Sequence, residues 1–334
     1  MKPYIKAGSH DHLDGSIPME KIILELYRMA GKTFPFASVS AWRAYFTDPH
    51  SDMIAKFGTV TGVLQTEEAL QLAAETYVRH RALQGMAYQE PKFAPQYHVF
   101  GGLSLKQVIA AVHKGCALAS NTYRVDVLPV ACIGREADPD RGVEIARAIL
   151  EFDGEVGMDM ACNEADFPPE RHLPAYALTF GTNVRRDCHA GEWVSPEPAD
   201  TYRQRLLANV RTAVEVLRCH SVGHARPLKD DPELVKRVVA ENIRVAMCPL
   251  SNLGGGLIKN VGELGIAELL DAGVCLTVDG DDDLCFPDLA EVAAACDAAY
   301  GFTSAQCRAL EDNPFKGALM PAHRRRFTST SAPR

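Results

Sequence analysis

The sequence has no long apolar run, no Cys-x-x-Cys pair and no excess of basic residues, and each absence excludes a class of protein. No apolar stretch is long enough to cross a bilayer, so we predict a protein that does not span a membrane. The 10 cysteines are scattered, a pattern typical of buried thiols in a reduced protein rather than of a disulfide framework. The net charge of -8 at pH 7 argues against nucleic acid or an anionic membrane as the partner, since both usually require a basic face.

The chain also lacks a low-complexity linker that would divide it into separate units. Hydrophobic residues make up 47% of the 334 positions, which is enough for a large core. We therefore predict one domain over residues 1–320, followed by a polar tail at 321–334. No charged segment followed by an apolar stretch opens the sequence, which favours a cytoplasmic location. The oligomeric state is not indicated by any feature of the sequence.

Short β-rich segments alternate with longer segments of helical period along the whole chain. The predicted strands are 3–9, 86–93, 124–132, 154–160, 184–188, 219–223, 243–248 and 274–279. Eight strands that alternate with helices predict an α/β fold and favour a (β/α)8 TIM barrel, although an open doubly wound sheet shares the alternation. The first connection is long, and its helical segments 18–32 and 51–64 predict a helical lid insertion after strand 1.

Polar side chains follow four of the predicted strands at their carboxyl ends, where a barrel carries its catalytic groups. His10 and His12 point to the same face of an extended strand, because residues i and i+2 do so. We expect both to bind one ion, together with His189 and one acid of the cluster 279–283. Zinc suits three nitrogens and one oxygen, while the ligand types leave iron and manganese open. His224 follows another strand and is expected at the same mouth.

These segments resemble the adenosine deaminase family of the amidohydrolase superfamily over nearly the whole chain. The matching motifs are HDHLDGS at 10–16, MIAKF at 53–57, GMDMACNE at 157–164, HAGE at 189–192, VGHA at 222–225, CPLSN at 248–252 and DGDDD at 279–283. The first, fourth and last of these motifs, in this order, form a specific combination. The resemblance therefore implies a metal-dependent hydrolytic deaminase.

The resemblance also implies a role for each matching residue. One zinc ion per chain would be held by His10, His12, His189 and Asp281. Glu192 would carry a proton to the purine N1, and His224 would orient the attacking hydroxide. Asp281 would accept the proton of the attacking water.

The contacts with the substrate are implied in the same way. Asp14 would bind the ribose 5′-hydroxyl, and Asp282 would bind the purine N7. Met53 and Phe57 would form an apolar cover over the sugar. Cys162 stands where the family commonly has a glycine whose amide binds the purine N3. Its side chain departs from that pattern and could narrow the base pocket or admit a different base.

The expected activity is the conversion of a 6-aminopurine nucleoside, adenosine or a close analogue, to the 6-oxo product and ammonia. The alternatives are a deaminase of adenine, of a 5′-modified adenosine such as aminodeoxyfutalosine, or of a pterin. A two-metal hydrolase and a non-catalytic purine-binding protein are further alternatives. Asp14 favours a substrate that carries a sugar, because adenine-specific relatives commonly have Ile-Glu-Gly where this chain has Leu-Asp-Gly at 13–15.

Overall fold

The strands of the protein form two parallel sheets. The computed structural model describes residues 5–16, 18–193 and 199–328. The strands are β1 (Ala7–His12), β2 (Tyr88–Phe93), β3 (Asp126–Val127), β4 (Val130–Gly134), β5 (Gly157–Ala161), β6 (His189–Ala190), β7 (Ser221–His224), β8 (Arg244–Met247) and β9 (Cys275–Val278). The first sheet has the order β1-β2-β4-β5 with β3 on β2, and the second has the order β6-β7-β8-β9. All strand pairs are parallel, as alternation with helices predicts.

Single bridges connect the two sheets at both of their edges. Asp11 of β1 bridges Asp281 beyond β9, and Met158 of β5 bridges Arg186 just before β6. The parallel strands therefore direct their carboxyl ends the same way around both sheets. These bridges are single contacts rather than ladders, so the closed barrel stays a prediction.

Helices connect the strands along the chain. They are α1 (Pro18–Met29), α2 (Val39–Thr47), α3 (Met53–Thr61), α4 (Glu67–Leu83), α5 (Leu105–Tyr123), α6 (Pro139–Leu150), α7 (Leu173–Leu178), α8 (Ala199–Arg211), α9 (Pro232–Ala240), α10 (Pro249–Gly254), α11 (Ile266–Asp271), α12 (Leu289–Tyr300) and α13 (Ser304–Lys316). The first four lie between β1 and β2, so the long first connection is helical. Among the described residues, no helix is both long and apolar enough to cross a membrane.

Several helices begin where the sequence places a cap. Thr66 accepts a hydrogen bond from the amide of Ala69, and Asp231 accepts one from the amide of Leu234. Ser104 and Gln107 form a reciprocal capping box at the start of α5. Each cap satisfies amides that the first helical turn leaves without a partner.

Several strands differ from the expected ones. The predicted strand 124–132 is divided into β3 (Asp126–Val127) and β4, which begins at Val130. The predicted strand 184–188 lies ahead of β6, because only Arg186 of that segment is bridged to β5. Pro91, which lacks an amide donor, lies inside β2 opposite Asp11, and the register of β1 against β2 shifts between Gly8 and Asp11. The predicted strand 3–9 begins at residues outside the described part of the chain.

A buried network of charges crosses the interior of the sheets. Lys92 of β2 donates hydrogen bonds of 2.7 Å to the carboxylates of both Asp159 and Asp187. Arg244 of β8 pairs with Glu90 of β2 at 2.6 Å and lies 3.6 Å from Asp187. All five side chains are fully buried. A buried charge without a partner is strongly destabilising. The interior can hold these five charged side chains because each acid lies beside a lysine or an arginine.

Candidate active site

Three histidines and one aspartate meet at the carboxyl ends of the strands. His10 and His12 lie at the end of β1, His189 begins β6 and Asp281 follows β9. Their ligating atoms all lie within 4.8 Å of one another. Nε2 of His12 is 3.0 Å from Nε2 of His189, and Oδ1 of Asp281 is 3.3 Å from His12 Nε2 and 3.6 Å from His10 Nε2.

This cluster fits a divalent cation by its own chemistry. Both ring nitrogens of His10 are buried, and neither has a hydrogen-bond partner among the described residues. The Nε2 atoms of His12 and His189 face each other. In two neutral imidazole rings, the lone pairs on these atoms can both bind one ion. Asp281 supplies the oxygen ligand. A second group of potential ligands, which includes Cys248, overlaps this one through His10 and Asp281.

The imidazole of His189 is supported from beneath by the buried charge network. Oδ2 of Asp159 lies 3.0 Å from His189 Nδ1, and the same oxygen accepts a hydrogen bond from Lys92. A carboxylate beside one ring nitrogen holds the proton there and leaves the other nitrogen free as a metal ligand. Asp159 therefore orients His189 toward the cluster.

Glu192 places a carboxyl group beside the cluster. Its Oε2 lies 3.7 Å from Nε2 of His224, and 19% of its side chain is exposed. Burial, followed by repulsion from Asp281, raises the pKa of Glu192 to about 7. A carboxyl group with this pKa holds its proton for part of the time at neutral pH and is able to act as a proton donor.

The CPLSN segment fixes two polar groups of the site. The amide Nδ2 of Asn252 lies 3.0 Å from Nδ1 of His224, and because an amide nitrogen donates, His224 carries its own proton on Nε2. That Nε2 is buried without a partner among the described residues and lies 4.0 Å from Asp281 Oδ2. Ser251 donates a hydrogen bond of 2.6 Å to the same Oδ2, which orients the carboxylate.

Asp282 lies against the loop that follows β1. A Cβ on Gly15 would be only 1.6 Å from Asp282 Oδ1, so glycine is required there for this carboxyl group to fit. Oδ1 of Asp282 is buried and has no partner among the described residues. Burial raises the pKa of Asp282 well above its usual value, and repulsion from Asp281 and Asp14 adds to the shift. The group is therefore able to donate a hydrogen bond.

The backbone is strained at the ends of the strands that carry the site. Positive φ angles occur at Cys162 (78°), His224 (64°), Ala225 (45°) and Asp281 (69°), none of which is glycine. Side chains rarely adopt this left-handed region, and each instance costs about 1 to 3 kcal/mol. The surrounding structure holds these residues in place. The turns direct the side chains of His224 and Asp281 toward the other residues of the site.

The other residues predicted to contact the substrate differ in exposure and in surroundings. Asp14 is partly exposed in the loop after β1, and Cys162 is exposed just after β5 with its Sγ 3.6 Å from the hydroxyl of Tyr97. In the inserted helices, Met53 is 46% exposed, and the ring of Phe57 packs against Phe46 at a centroid distance of 5.9 Å. Contact of Met53 or Phe57 with a substrate stays a prediction.

Comparison with known proteins places this geometry in a family. The family model of adenosine deaminase matches residues 5–329. The chain belongs to the adenosine deaminase family. An adenosine deaminase from Streptococcus mutans is 31% identical over 288 residues, which are 83% of this chain and 78% of that protein. An adenine deaminase from Streptomyces coelicolor is 28% identical over 326 residues, which are 96% of this chain and 92% of that protein.

The fold of this adenosine deaminase family member is shared with solved structures. The crystal structure of adenine deaminase from Arthrobacter aurescens has a TM-score of 0.82 at 23% identity and covers 96% of this chain and 95% of that chain. An amidohydrolase from Burkholderia ambifaria, solved with bound Zn, has a TM-score of 0.80 at 23% identity and covers 95% and 86%. The predicted family and the prediction of a hydrolytic deaminase are confirmed by these matches.

Sequence reasoning missed several polar residues that contact the site residues or their backbone. They are Asp159, Glu164, Ser251 and Asn252. Each lies inside a motif that the resemblance had identified, GMDMACNE or CPLSN, but a motif does not show which side chain meets which. Their polar character at positions expected to be buried was the available signal.

Proposed function

We propose that the protein is a zinc-dependent hydrolytic deaminase that converts a 6-aminopurine nucleoside, adenosine or a close analogue, to the 6-oxo product and ammonia. One observation carries this proposal: a compact group of three imidazoles and one carboxylate adjoins a carboxyl group whose pKa is raised to about 7. Hydrolytic deamination requires both an activated water and a proton donor, and the two groups supply these separately.

His10, His12, His189 and Asp281 would hold one zinc ion per chain. When bound, zinc lowers the pKa of a water molecule to about 7 and so supplies a nucleophile at neutral pH. The solved amidohydrolase with bound Zn supports this choice of metal, as does the ratio of nitrogen to oxygen ligands.

Glu192 would then act as the proton shuttle. Attack at C6 builds negative charge at the ring N1, and a protonated carboxyl group neutralises that charge by donating its proton there. Asp281 would accept the proton of the attacking water. The Nε2 proton of His224, which the contact with Asn252 leaves facing the pocket, would hold the attacking oxygen in place.

Asp282 would recognise the purine ring through N7. N7 is only an acceptor, so the aspartate must be protonated to bind it. Burial raises the pKa of Asp282 above its usual value, which favours the protonated form that this contact needs. Cys162 would lie at the opposite edge of the ring, where its backbone amide replaces the amide of a glycine.

Asp14 favours a nucleoside over a free base. A partly exposed carboxylate after His12 is suited to accept a hydrogen bond from a ribose hydroxyl. Adenine is the second candidate, because relatives named adenine deaminase match over nearly the whole chain. Solved structures of similar fold include an N6-methyl-AMP deaminase from Arabidopsis thaliana, so 6-aminopurine nucleotides belong in the same test.

The fold supports this function if the two sheets close into one (β/α)8 barrel. Closure would surround the metal group with strand ends, and the helices between β1 and β2 would form a lid over the mouth. Met53 and Phe57 of α3 would be the apolar part of that lid.

The direct test is ammonia release by zinc-loaded protein from a panel of substrates. The panel contains adenosine, adenine, a 5′-modified adenosine, an amino-substituted pterin and N6-methyl-AMP, for which the methylamine released is measured in place of ammonia. We expect the highest kcat/KM for adenosine or its close analogue. Release of neither ammonia nor methylamine from any compound, with zinc bound at one ion per chain, would contradict a deaminase. Preference for adenine would move the substrate to the free base.

A further inference from the structure

Glu164 is a buried acid that none of the roles above uses. It lies three residues beyond β5 and is 1% exposed. Its carboxylate faces three consecutive backbone amides of the loop after β6, those of Gly191, Glu192 and Trp193, here called the Glu192 turn. The turn begins two residues after His189, so it lies between a predicted metal ligand and the predicted proton donor.

Four donors meet this one carboxylate. Oε1 accepts hydrogen bonds from the Gly191 amide at 2.7 Å and from Nδ2 of Asn209 at 2.8 Å. Oε2 accepts from the Glu192 amide at 2.9 Å and from the Trp193 amide at 3.1 Å. Both oxygens are thus engaged by two N–H groups each. A neutral amide could not replace this carboxylate, because its NH₂ group would oppose backbone donors.

The backbone of the Glu192 turn is also constrained by its close approach to α8. Gly191 has a φ of 72°, a conformation that glycine adopts readily, and a Cβ there would lie 2.5 Å from Cγ2 of Val210 in α8. The turn therefore runs close against α8, and its amides point inward to the carboxylate. A buried anion that binds three successive amides fixes the direction of the backbone through that turn.

We propose that Glu164 is a positioning residue for the reaction. Its carboxylate holds the Glu192 turn so that the Glu192 side chain stays beside His224 and reaches the substrate ring. This inference rests on the proposed function, because it assigns the turn a role in proton transfer. Glu164 itself does not touch the substrate, and it acts through the three amides that it binds.

The test compares Glu164→Gln with Glu164→Asp and with Asp166→Asn. Glutamine removes the anion, whereas aspartate keeps the charge on a shorter side chain that reaches fewer of the donors. Asp166→Asn is the matched acid-to-amide control, because Asp166 is exposed two residues after Glu164 and contacts Asn163 instead. For each variant, kcat, KM, zinc content and melting temperature are measured.

Tryptophan fluorescence gives a readout that does not depend on turnover. The chain has two tryptophans, and Trp42 is fully buried, so quenching by acrylamide reports mainly on Trp193 at the end of the Glu192 turn. A released turn exposes Trp193 and raises the quenching constant. The control Asp166→Asn leaves it unchanged.

We expect Glu164→Gln to lower kcat about 100-fold, with a small change in KM and one zinc retained, because misplacement of a catalytic group by about 1 Å has that effect. Glu164→Asp restores part of the rate. If Glu164→Gln fails to fold, Glu164→Asp is compared with the wild type and with Asp166→Asn instead, and the expected decrease in kcat is smaller.

Wild-type kcat and wild-type quenching in Glu164→Gln or in Glu164→Asp would overturn the proposal. Joint loss of zinc, melting temperature and activity in both variants would also overturn it, because that pattern means a general role in folding. If wild-type protein deaminates no aminopurine, the proposed function fails. Acrylamide quenching of Trp193 then still shows whether Glu164 holds the Glu192 turn.

Discussion

The backbone of Gly223 in β7 lies against the imidazole ring of His10 in β1. A Cβ at position 223 would be 2.3 Å from Cε1 and 2.8 Å from Nδ1 of His10. Both distances are far below van der Waals contact, and the ring is fully buried, so it has no open space to move into. The position of one predicted metal ligand therefore depends on the absence of a side chain on a different strand.

Gly223→Ala should displace His10 and weaken metal binding. We expect zinc affinity to fall at least about tenfold, since shifts in the support of a ligand commonly cost 10- to 100-fold. Competition with a chelator followed by metal analysis measures this. Gly280→Ala is the control, because a Cβ there would meet its nearest neighbours at an ordinary 3.5 Å. Equal zinc affinity in both variants would mean that the ring adjusts and that Gly223 has no such role.

Glu192→Gln should retain zinc and lose most turnover. Glutamine keeps the size of the side chain but cannot donate the proton that a carboxyl group with a pKa near 7 provides. General acid catalysis contributes about 10²- to 10⁴-fold, so kcat should fall by that factor. Ammonia release and metal content are measured on the same preparation. Turnover equal to that of the wild type would remove Glu192 from the reaction.

Asp14→Ala should raise KM for a nucleoside far more than for the free base. Loss of one hydrogen bond to a charged group costs about 1.5 to 3 kcal/mol, which corresponds to roughly 10- to 100-fold in affinity. Adenosine and adenine are compared under the same conditions. Asp14→Asn serves as the control, because its carbonyl oxygen still accepts a hydrogen bond. The same factor on both substrates would be inconsistent with a contact to the sugar.

Cys162→Gly should change the preference among purine bases and relieve strain. The φ of 78° suits glycine, so we expect the melting temperature to stay level or rise. Removing the side chain opens one edge of the proposed base pocket, and kcat/KM for purines with an added substituent should rise relative to adenosine. Cys162→Ala separates the two effects, because it removes the sulfur and keeps Cβ. An unchanged substrate profile in the glycine variant would show that Cys162 does not line the pocket.

His220 should make the protein less stable in mild acid. Burial and the positive charges of Arg185 and Arg186 lower its pKa to about 3, and its Nδ1 accepts a hydrogen bond from the amide of Arg186. The unfolded chain binds the proton first, near pH 6.5, so stability falls as pH decreases from there toward 3. From pH 7 to 5 the wild type should lose about 1 to 2 kcal/mol more than His220→Asn, which keeps an acceptor. Thermal denaturation at both pH values measures the difference, and parallel losses would contradict it.

The sequence allowed the convergence of three histidines and one acid to be predicted because these residues follow strands in a fixed order, and the family resemblance then singled out Asp281 among the acids of 279–283. The i, i+2 spacing of His10 and His12 determines that both side chains share a face, and the structure brings them together with His189 and Asp281. Helix starts were also predictable where a side chain caps the backbone, as at Thr66 and Ser104. These features depend on local geometry, which a short segment already contains.

Features that depend on contacts between distant segments could not be predicted. Glu164 binds amides 27 to 29 residues further along the chain, and Lys92 pairs with aspartates 67 and 95 residues away. Lys92 follows a proline in the sequence, so nothing local indicated a buried ammonium group. The requirement for glycine at position 223 likewise arises only when β7 and β1 are both in place.

The buried charges in the interior also constrain how the chain folds. Glu90 in β2 is paired with Arg244 in β8, more than 150 residues later. Any partly folded state that buries Glu90 before the last strands are in place leaves this carboxylate without its cationic partner, at a cost of several kcal/mol. The first sheet is therefore a poor independent folding unit, and truncation before β8 should yield an insoluble fragment rather than a stable half.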